Sequence, residues 1–599
     1  MPGIVGIISR KASSYCTNKL KDMLRSMEYE SFYQSEMEIV PELGVYFGWT
    51  TWSQSIREKK NTDIVQKSCS LALAGEIFSD HLYNQNQKNR NGNLDTDSIK
   101  YMYEKESQDF LQNLSGSFAG VIVDHIKRTT LIFNDRFGSK RLFLYEGTDE
   151  LLFSTEAKAI LAVEPKTHAF DPAGLAEFIV SGCTFGDHSL FQGISILPNA
   201  SLWQISLDGK IKKTIYFHKS TWESQISLDP DTYKEAIIST FSKVVQKYSE
   251  YHIPVGISLT GGLDSRMILA VLQKFPCSFK TYTFGSMYRE NFDVKIAQEV
   301  SEICRHSLTK LIVDKVFLKE LPNYMEQAIY RSDGYIGLSG AVELYVNRLA
   351  REISIIRLTG NWGGELLRGV RVFKTIKPDI PFINLDLDLD LAIEKYLKLN
   401  DLHPLSYTLF QQLTHQGYGR SAIESSQLII RNPFLDSELL ELLYKRPPSE
   451  GSGEELTKLI ISRYAPSLLS IPTDRGVLGK ETLFLQNMRH LYREFLFKAE
   501  YFVNNGAQSW MNILNGPLTH NLLARLFIGQ HKFYHFGHWL RNDLSDEFVE
   551  ILLDKAKHSY YINNKVLLKM LNKLRIGNSN NLDTIDKALT IMFTEEIFF

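Results

Sequence analysis

The sequence predicts two joined folds: a sheet-rich α+β domain over residues 1–220, then a parallel-sheet α/β domain with a helical C-terminal extension over residues 221–599. Three observations lead there. Short β-branched and aromatic runs separated by turns fill the first third, strand and helix patterns alternate from about Tyr233 to Gly360, and amphipathic helical stretches take over beyond about Asp379. A chain of 599 residues is also too long for a single hydrophobic core. With 44% hydrophobic and 23% charged residues it has a globular composition, and 35 Phe and 28 Tyr supply filling for several cores. A formal charge of −2 leaves no net field to hold nucleic acid or an anionic membrane.

Taken in order, SLALAGEIF, FAGVIVDH, TTLIFNDRFG, RLFLYEG and ELLFSTEAKAIL read as the strand-like runs of the first domain. The polar stretch STWESQISLDPDTY reads as a linker, placing the boundary near Thr221 and a helix over Tyr233–Tyr251. Then come the strand IPVGISL, a Gly-rich turn and helix, the strand TYTFG, and ISIIRLTG; such alternation implies a parallel sheet covered on both faces. DSELLELLYKR and DEFVEILLDKA read as packing helices, and the DLDLD run at Asp386–Asp390 as a solvated loop. Cys16, Cys69, Cys183, Cys277 and Cys304 are odd in number and widely spaced, without zinc spacing, which fits a reducing cytoplasm. The opening MPGIVGIISRK is a strand pattern rather than a signal core, and no window approaches the roughly 18 apolar residues of a membrane span.

The strongest chemical signal is SLTGGLDSRMILAVL, Ser258–Leu272: an apolar strand, Thr-Gly-Gly-Leu-Asp-Ser, then an apolar helix. Gly261 and Gly262 let the backbone turn with no Cβ in the way, so that amides and a helix N-terminus can face an anion. Thr260 and Ser265 offer hydroxyl donors to phosphate oxygens, and Asp264 beside a polyphosphate makes sense as a Mg²⁺ ligand. The plainer reading is a strand-to-helix turn with Asp264 as helix cap. His535 and His538 in FYHFGHWLR lack an acid or Cys at ligand spacing and read as packing, and Tyr335 as a turn tyrosine or as an aid to deprotonating an amine.

This loop resembles the SGGxDS pyrophosphate loop of the asparagine synthetase superfamily, with Thr260 for the first serine. MPGIVGIIS, LAGEIF, FSTEAKAIL, LFQGISILPNASL and NPFLDSELLELL are similar to further segments of that family in the same order. The resemblance implies an N-terminal Ntn-hydrolase-like glutaminase sandwich and an ATP-pyrophosphatase domain of the adenine nucleotide α-hydrolase-like fold. It implies ATP and Mg²⁺ as cofactors, with ATP split between its α and β phosphates and AMP passed to a substrate carboxylate. Ser258, Thr260, Gly261, Gly262, Leu263, Asp264 and Ser265 would then hold the polyphosphate end, Asp264 the metal, and Phe284, Thr359 and Gly360 the adenosine.

The pattern is broken in both halves. Where the family's glutaminase has a nucleophilic cysteine after the initiator, this chain has Pro2; its Asn-Gly oxyanion pair is Ala74-Gly75, and MEYESFYQ replaces the substrate loop. An oxyanion donor of this kind contributes about 2.7–4 kcal/mol in other enzymes. Glutamine hydrolysis is therefore not expected, and Glu76 and Asp97, which match substrate-binding positions, read as structural. In the second half SGEGxDE becomes TGNWGGELLRG: the first Glu is Asn361, the metal-sharing Asp is Gly364, and only Glu365 survives, as a proton acceptor or as a cap of the helix ELLRG. Asp333 is the candidate for the missing acid. Arg475 or Lys480 of IPTDRGVLGK stands for the family's lysine, with pairing of Arg475 to Asp474 or another acid as the alternative.

Family branches without the cysteine include β-lactam synthetases and lasso-peptide macrolactam cyclases. The expected function is therefore amide formation between an adenylated carboxylate and an amine, a lasso-type precursor peptide with its leader peptidase being the first specific substrate and partner. Ammonia-dependent amidation of a uronic acid or aspartate, and a non-catalytic binding protein, are the alternatives.

Overall fold

Successive strand residues face opposite ways, so the unbroken apolar run of β1 (Ile4–Ser9) needs cover on both sides. Ile4 packs between two sheets, while Val5 and Ile7 pack with Leu20 and Met23 of helix α1 (Ser13–Met27). The computed structural model describes residues 2–52, 68–78, 94–369, 382–449, 453–505, 517–544, 550–575 and 582–599, apart from residues 551, 553 and 556.

With β1 run β2 (Tyr33–Val40) and β3 (Val45–Trp52). The opposite sheet is built from β4 (Cys69–Phe78), β5 (Ser115–Asp124) and β6 (Thr129–Asn134). The chain then returns through β7 (Phe143–Glu146), β8 (Glu150–Ser154), β9 (Ser195–Ile196), β10 (Ser201–Ser206) and β11 (Ile211–Ile215). The orders are β2-β3-β1-β8-β7-β9 and β11-β10-β6-β5-β4, antiparallel throughout. Ile4, Phe47 and Phe153 from one sheet meet Ala74, Val121 and Ile132 from the other, which makes a sandwich.

The second sheet is parallel: β12 (Val255–Ser258), β13 (Phe279–Ser286), β14 (Leu308–Val313), β15 (Ile356–Leu358) and β16 (Ile429–Arg431), in the order β14-β13-β12-β15-β16. Strand order reverses between β12 and β15, and such a switch point opens a crevice at the carboxyl ends of the strands. Helix α2 (Pro230–Ser249) precedes β12. It starts earlier than the expected Tyr233 because Asp229 accepts from the Thr232 amide at 3.0 Å and Pro230 fits the first turn. The linker is not wholly irregular either, since Ser220–Glu223 forms a helical turn with Trp222 buried.

Helices α3 (Asp264–Leu272), α4 (Phe292–Ile303) and α5 (Leu338–Ile353) cover the sheet, and α6 (Gly363–Arg368) and α7 (Tyr418–Gln427) flank its carboxyl end. The DLDLD run ends as a helix start: Asp388 caps Leu389–Lys398, accepting from the Leu391 amide at 3.0 Å. Most of DEFVEILLDKA lies outside the described residues. The last helix, α8 (Leu582–Phe598), buries Ile585, Leu589 and Phe593 in one apolar cluster with Val5 and Ile7 of the sandwich and Phe317 and Leu321 of the second domain. Among the described residues no helix is long and apolar enough to cross a membrane, and all five cysteines are free thiols.

Candidate active site

Two loops meet at the switch point. One leaves β12 as Leu259–Leu263 and the other leaves β15 as Thr359–Trp362. Their contact is too close for side chains: a Cβ on Gly360 would stand 2.8 Å from the Ser265 amide nitrogen, and one on Gly363 would stand 2.7 Å from Asp264 Cγ. Trp362 turns the second loop with a left-handed backbone, φ 68°, directly before α6.

The first loop braces itself with its hydroxyls. Ser265 Oγ accepts from the Thr260 amide at 3.2 Å, and Thr260 Oγ1 accepts from the Gly262 amide at 3.2 Å. The Gly261 amide donates to Asp293 at 2.6 Å. Asp293 is pushed up to about 7, by burial first and the Asp474 charge second. Leu263 is buried and precedes α3 without a side-chain cap, so Asp264 does not cap the helix. Ser258 accepts from Arg357 Nε at 3.2 Å, Phe284 packs against Phe533, and Thr359 is buried with its Oγ1 accepting from the Asn361 amide at 3.2 Å.

Asp264 is engaged otherwise than expected. Arg368, at the end of α6, donates from Nη1 to Oδ1 at 2.6 Å and from Nη2 to Oδ2 at 2.9 Å, a bidentate pair. The implied Mg²⁺ does not fit these residues as they stand: both carboxylate oxygens hold a guanidinium, Gly364 brings no ligand, and among the described residues no three acids, His or Cys group together. Asp333 does not replace the missing acid. It is buried at the domain junction, where it accepts from the Ala157 amide at 2.9 Å and from Lys158 Nζ at 2.9 Å. Glu365 lies in the first turn of α6, its carboxyl raised by burial first and then by Asp264, against the lowering effect of Arg368.

Of the two candidate cations, Arg475 follows the pairing alternative. Its Nη1 meets Glu494 at 3.0 Å, its Nε stands 3.6 Å from Asp474, and its guanidinium lies 3.6 Å over the Phe497 ring. Lys480 is exposed farther along the same loop. A cation that the sequence reading missed, Arg266, secures that loop: buried beside Ser265, it donates to the carbonyls of Leu468 at 3.1 Å and Ile471 at 2.7 Å. No local signal marks it, since its partners lie about two hundred residues away.

A cavity of about 1180 Å³ opens beside the paired loops and runs between the domains. Thr359, Asn361 and Glu365 line it from one side, and Pro2, Ala74 and Glu76 from the other. Glu76 is bidentate to the buried Arg431 at the end of β16, at 2.7 and 2.8 Å. Lys140 also lines the cavity, its ammonium pushed down to about 8 by burial. Tyr335 is buried, its hydroxyl accepting from the Leu190 amide at 3.1 Å, and Asp97 is exposed 4.0 Å from Lys100. His535 pairs with Glu500 at 2.8 Å, an acid supplied by a distant helix and one that also accepts from the Gly529 amide.

An antiparallel sandwich joined to a parallel sheet with a Gly-rich loop at its switch point defines a two-domain protein with an Ntn-like amidotransferase half and an ATP-pyrophosphatase half. Comparison with known families agrees. Residues 52–217 match the family described as glutamine amidotransferase domain, and residues 236–422 the family described as asparagine synthase. Asparagine synthetase [glutamine-hydrolyzing] 1 of Bacillus subtilis (strain 168) is 23% identical over 85% of this chain and 81% of its own length. Putative asparagine synthetase [glutamine-hydrolyzing] 2 of Methanocaldococcus jannaschii is 24% identical over 49% of this chain, and asparagine synthetase B of Escherichia coli (strain K12) is 27% identical over 35%. The matched parts span 58% and 33% of those two relatives. The chain belongs to the asparagine synthetase superfamily.

Proposed function

We propose that this chain is an ATP-dependent amide-forming ligase that activates a carboxylate as its acyl-adenylate and joins it to an amine not drawn from glutamine. The observation that carries this reading is the packing of the Thr260–Ser265 loop on the Thr359–Trp362 loop at the switch point, beside a cavity large enough for an acceptor. In the first step a carboxylate oxygen bonds to the α-phosphorus of ATP and pyrophosphate leaves. In the second, the amine nitrogen bonds to the acyl carbon and AMP leaves, which requires a proton acceptor. Glu365 suits that role, because burial and the Asp264 charge hold its carboxyl above the ordinary range and it binds a proton more firmly than a free carboxylate. The amide step should slow as pH falls through that raised value, because only the ionised form accepts a proton.

The relatives' names include glutamine hydrolysis; three features of this chain speak against carrying it over. Pro2 brings no thiol, Ala74 brings no side-chain donor, and Glu76 is committed to Arg431. The amine then belongs to the substrate or to solution. Ring closure within a lasso-type precursor peptide, freed by its leader peptidase, is the specific form proposed; amidation of a uronic acid or aspartate by ammonia is its competitor. The Asp264–Arg368 pair favours a second reading, a binding protein that has kept the fold.

Exchange of labelled pyrophosphate into ATP, measured with candidate carboxylates, reads the first step alone. Glu365→Gln should keep exchange and lose product, and loss of exchange with the fold intact would refute its role in the second step. Cyclisation shows as loss of water by mass, and amidation as replacement of OH by NH₂. Glutamate released from glutamine above the buffer rate would overturn the glutamine-independent part, and Pro2→Cys alone should not restore it.

A further inference from the structure

The pairing of Asp264 with Arg368 leaves a charge question at the polyphosphate end of the nucleotide loop. In the family pattern two acids share a divalent cation there; here one of them is Gly364, and Asp264 holds a guanidinium in both of its oxygens. Positions 364 and 368 are one helical turn apart on α6, so a residue at 368 reaches the side of the helix that position 364 would have served. The loss of the acid and the presence of the arginine therefore fall on one face, opposite one carboxylate.

Resting on the nucleotide-binding reading above, we propose that Arg368 takes the seat of the protein-bound divalent cation, Asp264 being its anchor and a polyphosphate anion its ligand. The donor inventory allows it. A guanidinium has five N–H groups in a fixed plane; Asp264 takes two, and among the described residues nothing takes the other three. The side chain is 19% exposed, so these donors are not walled in. The anchoring is tight because Gly360 and Gly363 allow the loop carrying α6 to lie directly on Asp264, where any Cβ would collide. A bidentate arginine matches phosphate oxygens as well as carboxylate, and a carboxylate behind it fixes its plane before the ligand arrives.

Calorimetric titration of the full chain with inorganic pyrophosphate and with ATP, each in EDTA and in excess Mg²⁺, tests this. The wild type should bind both ligands in EDTA within about threefold of its affinity in Mg²⁺, and Arg368→Ala should weaken binding in EDTA at least about tenfold, the share of a charge-assisted bond. Arg368→Lys, which keeps the charge but not the fork, should fall between them and guards against misfolding of the alanine variant. Manganese resonance adds an independent readout: Arg368→Ala frees Asp264 and should gain a protein-bound ion that the wild type lacks. Binding by the wild type only in Mg²⁺ would overturn the proposal while leaving the nucleotide reading intact. Unchanged or tighter binding by a folded Arg368→Ala would overturn it too, making the pair a block rather than a seat. If neither ligand binds the folded wild type in either buffer, the nucleotide reading falls along with it.

Discussion

Gly261 and Gly262 look alike in sequence and differ in what they serve. A Cβ on Gly261 would stand 2.7 Å from Asp474 Cβ and 3.0 Å from Asp293 Oδ1, so this glycine admits the loop that Arg266 staples in place. A Cβ on Gly262 would meet only Thr260 Oγ1, at 3.4 Å. A side chain at 261 would therefore displace protein before it met any phosphate. Gly261→Val should lower thermal stability, by an amount on the order of 1–3 kcal/mol typical of overpacking. Gly262→Val should keep the wild-type melting temperature and weaken ATP binding; normal ATP affinity in that folded variant would mean that phosphate does not approach there. The TGGLDS string announced a tight turn with hydroxyl support, and both are present. Which glycine faces the open side was illegible, because it depends on Asp474, about two hundred residues onward.

The same limit governs whole elements. The alternation after Tyr233 made a parallel sheet predictable, since each strand and helix carries its own periodicity. The pair of Arg431 and Glu76, which locks the end of β16 to β4, has no such local pattern. Its energetics are lopsided. Arg431 is buried, also donating to the carbonyls of Tyr248 at 3.1 Å and Glu250 at 2.8 Å, so removing Glu76 strands a charge. Glu76→Ala should shift the melting midpoint by the equivalent of roughly 3 kcal/mol, the lower end for breaking a buried pair. Glu76→Ala combined with Arg431→Met should recover part of that loss, because no charge is then left unpaired. A double variant less stable than the single would show that Arg431 is held by its backbone carbonyls and needs no acid. A π-helical run at Thr408–Gln416 passed unnoticed in the sequence for a related reason. Its spacing differs from that of an α-helix only slightly, and it supplies the Thr414 carbonyl that accepts from Arg141 Nη2 at 3.0 Å.

At the scale of the molecule, a sheet-rich α+β fold followed by a parallel-sheet α/β fold was legible from the change of pattern along the chain, and their fusion was not. Composition announced enough apolar side chains for several cores, and the sandwich has one between its sheets, yet Val5 and Ile7 of β1 share another with Leu321, Tyr335 and α8. The ionic contacts between the halves, Glu30 with Arg331 at 2.6 Å and Lys158 with Asp333 at 2.9 Å, lie beside that shared core. A sandwich that closed all of its apolar faces by itself would melt separately; this one, with one face closed by the second domain, should not. Calorimetry is expected to give a single endotherm, and removal of residues 582–599 should destabilise the sandwich as well as the second domain, read by the fluorescence of Trp49 and Trp52. A sandwich that melts unchanged after that removal would contradict the shared core.

Translation delivers β1 long before α8, and Val5 and Ile7 lie in one cluster with Ile585, Leu589 and Phe593. Helix α1 covers part of that patch early, but the nascent sandwich must wait with the rest of it open while the hundreds of residues between α1 and α8 leave the ribosome. Its closure cannot precede the synthesis of α8, and during that interval the open side of the cluster is the natural target of a holdase chaperone.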